Sequence, residues 1–197
     1  MRPKSSLFVL SLLLSPTLAW AIATGDAIPM KDTRLQNVDG KELAIADVAG
    51  SKGTLVVFTC NHCPYAKAWE SRIVDLGNSY AKQGIGVIAI NSNDPAVAPE
   101  DDLDHMKERA KAKGFGFAYA VDSTSGVARA FGATKTPEVY LFDASGKLAY
   151  HGAVDDTSRS AEGVKEHYLK DALDAVVAGK PVAKAETKAL GCGIKFR

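Results

Sequence analysis

Along this chain the apolar residues change period several times, and each change marks an element. Leu55-Val56-Val57-Phe58 is a continuous apolar run between Gly53 and Cys60, the pattern of a strand buried on both faces. From Tyr65 the spacing becomes three and four: Tyr65, Trp69, Ile73, Leu76 and Tyr80 share a face, with Lys67, Glu70 and Asp75 among the residues between. That is an amphipathic helix with an aromatic and aliphatic core face, and Gly84 stops it. Ile85 to Ile90 is a second buried strand, so strand, helix and strand predict a right-handed parallel crossover.

Glu100, Asp101 and Asp102 open the next helix and Lys111, Lys113 and Gly114 close it, with Leu103, Met106 and Ala110 facing inward. Phe117 to Val121 reads as a strand and Val127 to Phe131 as a short helix. Val139-Tyr140-Leu141-Phe142, the turn Asp143-Ala144-Ser145-Gly146 and Leu148-Ala149-Tyr150 make a hairpin. A last apolar face, Val164, Tyr168, Leu169, Ala172, Leu173, Val176 and Val177, ends at Gly179 and Pro181. Upstream, Thr24 to Val48 holds weak strand patterns around an Asp39-Gly40 turn and predicts an N-terminal β-hairpin. No internal repeat or low-complexity tract interrupts these elements.

The ends differ from the middle. After Met1-Arg2-Pro3-Lys4, residues 5–21 are almost wholly uncharged and Leu-rich and close on Ala19-Trp20-Ala21, a small-x-small cleavage pattern. This reads as a secretory signal over 1–21. An uncut stretch would be near the lower length limit of a membrane anchor, but Pro16 interrupts it. No cysteine lies near the cut, which argues against a lipoprotein. The organisation expected is a leader over 1–21, one domain over 22–181 and an irregular tail over 182–197. Localisation follows as periplasmic or secreted, with membrane contact only through an uncleaved leader.

Without the leader the chain carries 22 basic and 23 acidic residues, so nothing electrostatic points to nucleic acid. Export changes the reading of the three cysteines, Cys60, Cys63 and Cys192, because disulfides persist in an oxidising compartment. A structural framework would use an even number with well-separated partners. The loop closed by Cys60 and Cys63 is too small to restrain the unfolded chain much.

Cys60-Asn61-His62-Cys63 instead stands where a strand hands over to a helix, whose positive end favours a thiolate. Cys60 is expected to be the more exposed sulfur with the lower pKa and to act as nucleophile, and Cys63 to lie deeper and resolve the mixed disulfide. Such pairs fall from ~8.5 toward roughly 3.5–7.5. His62, between them, can stabilise a thiolate as a cation or donor; the alternative is a solvated loop residue. Half of a zinc site is the structural alternative for the pair, but only Cys192 and four His remain to complete four ligands. No metal or other cofactor is expected. Tyr65 and Trp69 read as helix core.

Strand, Cys-x-x-Cys, helix, strand, helix, Thr136-Pro137, hairpin and final helix resemble the thioredoxin superfamily over roughly Leu43 to Gly179. Phe58-Thr59-Cys60-Asn61-His62-Cys63-Pro64-Tyr65, Ile90-Asn91-Ser92-Asn93-Asp94, Thr136-Pro137-Glu138 and Gly191-Cys192-Gly193-Ile194-Lys195 resemble its exported, peroxiredoxin-like (AhpC/TSA-related) branch. The resemblance implies an α/β thioredoxin-like fold: a central mixed sheet flanked by helices, an N-terminal β-hairpin extension and an irregular C-terminal tail. It also implies a cis Pro137 facing the cysteines, with the Thr136 backbone pairing a substrate chain as an added strand. The alternative there is an ordinary trans proline at a strand edge, and Glu138 beyond it reads as a solvated side chain.

Two departures matter. Thioredoxins proper carry Trp before the first cysteine and a buried Asp on the preceding strand; here Thr59 and Thr54 stand there, so the proton acceptor for Cys63 is unassigned. Peroxiredoxins carry Pro-x-x-x-Thr-x-x-Cys, but Val57 and Cys60 lie three before Cys60 and Cys63, so peroxidase activity does not follow.

The function expected is thiol–disulfide exchange with protein or small-molecule thiols and disulfides, sustained by a partner that recharges the pair. A peroxide-reducing antioxidant working through a sulfenic acid is a second reading. A copper carrier using both thiolates and His62 or His151 is a third. Cys192 folds back as a third redox thiol, joins another chain or stays free.

Overall fold

The computed structural model describes residues 21–197, so the leader read over 1–21 lies, but for Ala21, outside the described residues. Two short strands, β1 (Leu35–Asn37) and β2 (Glu42–Leu43), form the expected N-terminal hairpin. It is the edge of the main sheet, because β1 also pairs antiparallel with β5 (Ala118–Val121).

The centre is β3 (Gly53–Phe58), helix α1 (Pro64–Ala81) and β4 (Ile85–Asn91). β3 and β4 are parallel, with Val56 opposite Ile88 and Phe58 opposite Ile90, the predicted crossover. Helix α2 (Leu103–Lys113) leads to β5, parallel to β4. α3 (Gly126–Phe131) and β6 (Lys135–Thr136) precede the hairpin β7 (Glu138–Asp143) and β8 (Leu148–Gly152), and α4 (Tyr168–Val177) follows. The seven-stranded sheet runs β2-β1-β5-β4-β3-β7-β8 with helices on both faces, a mixed α/β architecture of the thioredoxin-like kind.

Strand alternation divides the core. Val56 and Phe58 pack with Ile88, Ile90, Phe131, Tyr140 and Phe142 on one face, where Phe131 meets three aromatic rings edge-on. Leu55 and Val57 pack on the other face under Trp69, Ile73 and Tyr80 of α1 and Leu169 and Leu173 of α4. Both faces of β3 are fully buried, which is why its sequence is continuously apolar.

Two local expectations change. Asp101 does not open α2: Pro99–Asp101 is a 3-10 turn, and Asp102 is the cap, its side chain accepting from the His105 N–H. The last helix starts at Tyr168, because Ala161–Gly163 forms a 3-10 turn before Val164. The irregular tail is docked on the domain: 185–187 run beside β8, and β9 (Cys192–Gly193) pairs antiparallel with β6. Among the described residues no helix is long and apolar enough to cross a membrane.

Candidate active site

The thiol site forms where β3 ends and α1 begins. Cys63 is the N-cap of α1 and Pro64 its first helical residue, a place where proline's missing N–H costs nothing. Thr136 reaches both sulfurs from β6: its Oγ1 lies 3.3 Å from Cys60 Sγ and its carbonyl oxygen 3.2 Å from Cys63 Sγ. The Thr136–Pro137 peptide is cis. Sequence separations of 73 and 76 residues thus close into one cluster, to which the tail adds Cys192 against Cys60, Cys63 and Ala66. All three cysteines are free thiols.

Cys60 is 3% exposed and Cys63 0%, so neither stands in solvent. The neighbouring Cys60 thiol lowers Cys63, against burial, with the Cys192 thiol and the Ala66 N–H adding to the effect. Cys60 goes up, because it keeps the shared proton, is buried, and lies beside the Asp101 carboxylate. The two sulfurs therefore titrate as a pair rather than as separate groups. The Thr136 carbonyl accepts a hydrogen bond from the Cys63 thiol.

Asp101 is the principal residue that sequence reasoning missed. It is 2% exposed and closes the Cys-x-x-Cys loop from 40 residues away. Its Oδ1 accepts from the N–H of Asn61 at 2.5 Å and of His62 at 3.3 Å; its Oδ2 meets His62 Nδ1 at 2.5 Å and accepts from Asn93 Nδ2 at 2.7 Å. Asn61 donates to the Glu100 carbonyl and accepts from the Tyr119 hydroxyl, so the loop is held on both sides. His62 is consequently not a free loop side chain but half-buried and oriented by a carboxylate. One donor atom each of Cys60, His62 and Asp101 lies within 4.8 Å of the others, a group that could hold a metal. The four contacts already made by Asp101 fit an orienting role better than a ligand's.

Glu138, expected to be solvated, is 4% exposed. It accepts from the Thr134 N–H at 2.8 Å and the Lys135 N–H at 2.9 Å and meets His151 Nε2 at 2.7 Å, fixing the turn that presents Thr136. His151 also stacks on Tyr140, which takes it away from the copper-ligand role considered above. Burial would raise the Glu138 carboxyl, but the bonds from His151 and the two backbone N–H groups hold it below its usual value. A depressed carboxyl stabilises the fold fully above its unfolded pKa and loses that contribution as pH falls through the lower, folded value. Glu138→Gln is therefore expected to flatten the loss of stability on acidification, measured as denaturation midpoint against pH; an unchanged slope would contradict this role.

Known proteins are similar to this chain in sequence and shape. The model of the AhpC/TSA family matches residues 24–151. The thiol-disulfide oxidoreductase ResA of Geobacillus thermodenitrificans is 25% identical over 75% of this chain and 77% of its own length. A crystal structure of a hypothetical protein from Sinorhizobium meliloti superposes with a TM-score of 0.83 at 35% identity, covering 90% of this chain and 96% of that one. The solution structure of a thioredoxin-like protein in its oxidised form gives a TM-score of 0.61 at 20% identity over 80% and 97% of the two chains, which shows the shared fold.

Proposed function

The chain belongs to the AhpC/TSA family within the thioredoxin superfamily, and from that membership and its thiol site we propose that it is an exported thiol–disulfide oxidoreductase working through Cys60 and Cys63. One observation carries the reading: two thiols at the start of α1 both touch Thr136 of a cis Thr136–Pro137 peptide. Export rests on the leader pattern over 1–21, and the compartment proposed is the periplasm or the exterior.

The chemistry is exchange. Cys60 passes its proton to the adjacent Cys63, or to the His62 ring that Asp101 orients, and attacks one sulfur of a substrate disulfide. The other substrate sulfur leaves as a thiolate and takes up that proton, which frees Cys63 as a thiolate. Cys63 then attacks Cys60, the substrate's second sulfur leaves, and the pair ends oxidised while the substrate gains two electrons. Starting from the oxidised pair, the same steps run in reverse. Pro137 shapes the groove, Thr136 supplies the strand edge for a polypeptide substrate, and a separate thiol or disulfide partner resets the pair. Family membership keeps the peroxide-reducing reading in view; dimedone trapping of a sulfenic acid during peroxide turnover distinguishes it.

The test is exchange between the purified protein and a model protein disulfide. The reading requires Cys60→Ser to remove the activity; a wild-type rate in that variant contradicts it.

A further inference from the structure

The C-terminal segment ends across the thiol site. Thr136 lies opposite Cys192 and Lys135 opposite Gly193 in an antiparallel pair, and the Ile194 N–H donates to the Thr134 carbonyl at 3.0 Å. Ile194 is buried in the main core, the Lys195 N–H donates to Asn93 Oδ1 at 2.7 Å, and the Lys195 carbonyl accepts from the Asp94 N–H at 2.7 Å. Upstream, Gly191 passes so close that a Cβ there would lie 2.2 Å from the Thr136 carbonyl oxygen. The strand edge at Thr136 is thus taken, and the cysteine held by that pairing packs against Cys60, Cys63 and Ala66.

On the reading of Cys60 and Cys63 as the exchange pair, we propose that residues 191–195 are a resident substrate strand and that Cys192 is a third exchange thiol. It forms a disulfide with Cys63, and the strand leaves Thr136 when an extended cysteine-bearing polypeptide takes its place. In the oxidised protein the Cys192 thiolate attacks Cys63 Sγ. The Cys60–Cys63 bond breaks, the Cys63–Cys192 bond forms, and Cys60 leaves as a thiolate that takes up the proton released by Cys192. No electrons enter or leave; the disulfide moves, and its two oxidising equivalents come from the disulfide substrate that oxidised the pair. Relocation ties the tail over the groove and leaves Cys60 as the thiol available to the next partner. Displacing the strand gives an external polypeptide the same edge, by addition of a β-strand.

The experiment exposes the reduced full chain to oxidised glutathione, quenches with acid and alkylating agent, and maps linked peptides under non-reducing conditions. Wild type is expected to yield both Cys60–Cys63 and Cys63–Cys192, and Cys60→Ser to yield Cys63–Cys192 within one chain. Adding Gly191→Ala, which pushes the strand off Thr136 without touching a thiol, is expected to slow that link about tenfold, the factor given by ~1.4 kcal/mol of lost pairing. Formation of Cys60–Cys63 in wild type with no Cys63–Cys192 link in either protein, or links only between chains, overturns the inference. Absence of the Cys60–Cys63 bond as well overturns the exchange-pair reading and this inference with it.

Discussion

With Cys63 and Cys192 both replaced by serine, Cys60 is expected to accumulate as a mixed disulfide with its substrate. Turnover is expected to fall by about three orders of magnitude or more, the scale seen when a member of a catalytic unit is removed. Two physical losses combine. No thiol remains to attack the adduct, so the second half of the exchange has no nucleophile. The first half also slows, because Cys60 is buried beside Asp101 and has lost the sulfur that takes its proton. Cys192 must be removed with Cys63, since a tail thiol packed against the pair is a second resolving group. Mass spectrometry of the trapped species places the adduct; an adduct absent from Cys60, or turnover close to wild type, contradicts the assignment.

The second large effect is expected at Asp101. Asp101→Ala orphans buried or half-buried donors on Asn61, His62 and Asn93 together, and leaving such groups unpaired costs about 3 kcal/mol or more in total. Because three of those four donors belong to the loop between the thiols, the cost falls on the active-site end of α1 rather than on the aromatic core. Asp101→Asn separates charge from shape. The negative charge at Asp101 disfavours a second anion at Cys60, so its removal is expected to shift the Cys60 alkylation profile to lower pH. A denaturation midpoint for Asp101→Ala equal to wild type, or an unmoved alkylation profile for Asp101→Asn, contradicts this positioning role.

These two expectations differ in how far the sequence already contained them. The thioredoxin-like frame was legible because its signals are local. A fully buried strand is an unbroken apolar run, as in 55–58, and a helix against a sheet shows one face, as in Trp69, Ile73 and Tyr80. The Cys60–Cys63 spacing at a strand-to-helix junction is equally local.

Asp101 was not legible in that way. Three consecutive acids before an apolar-periodic segment have the pattern of a helix start, and only tertiary packing turns one of them into the acceptor for a loop 40 residues earlier. Glu138 hid for the same reason, since an acid after a proline gives no sign that it will meet His151 and two backbone N–H groups. The titration of the thiols likewise depends on Asp101, which faces Cys60 from outside the motif, so position in the motif alone does not set it. β9 is two residues long, too short for any periodicity; its place beside β6 is a long-range pairing. The advance signal was the run Gly191-Cys192-Gly193-Ile194-Lys195, a cysteine between two glycines in a basic-ended tail.

The most direct measurement is the ultraviolet absorbance of thiolate in the fully reduced protein as a function of pH, repeated on Cys63→Ser. The account predicts one thiolate per chain forming well below the ordinary cysteine value of about 8.5, and its loss when Cys63 is replaced. A reduced wild-type protein with no thiolate until that ordinary value is reached would contradict it.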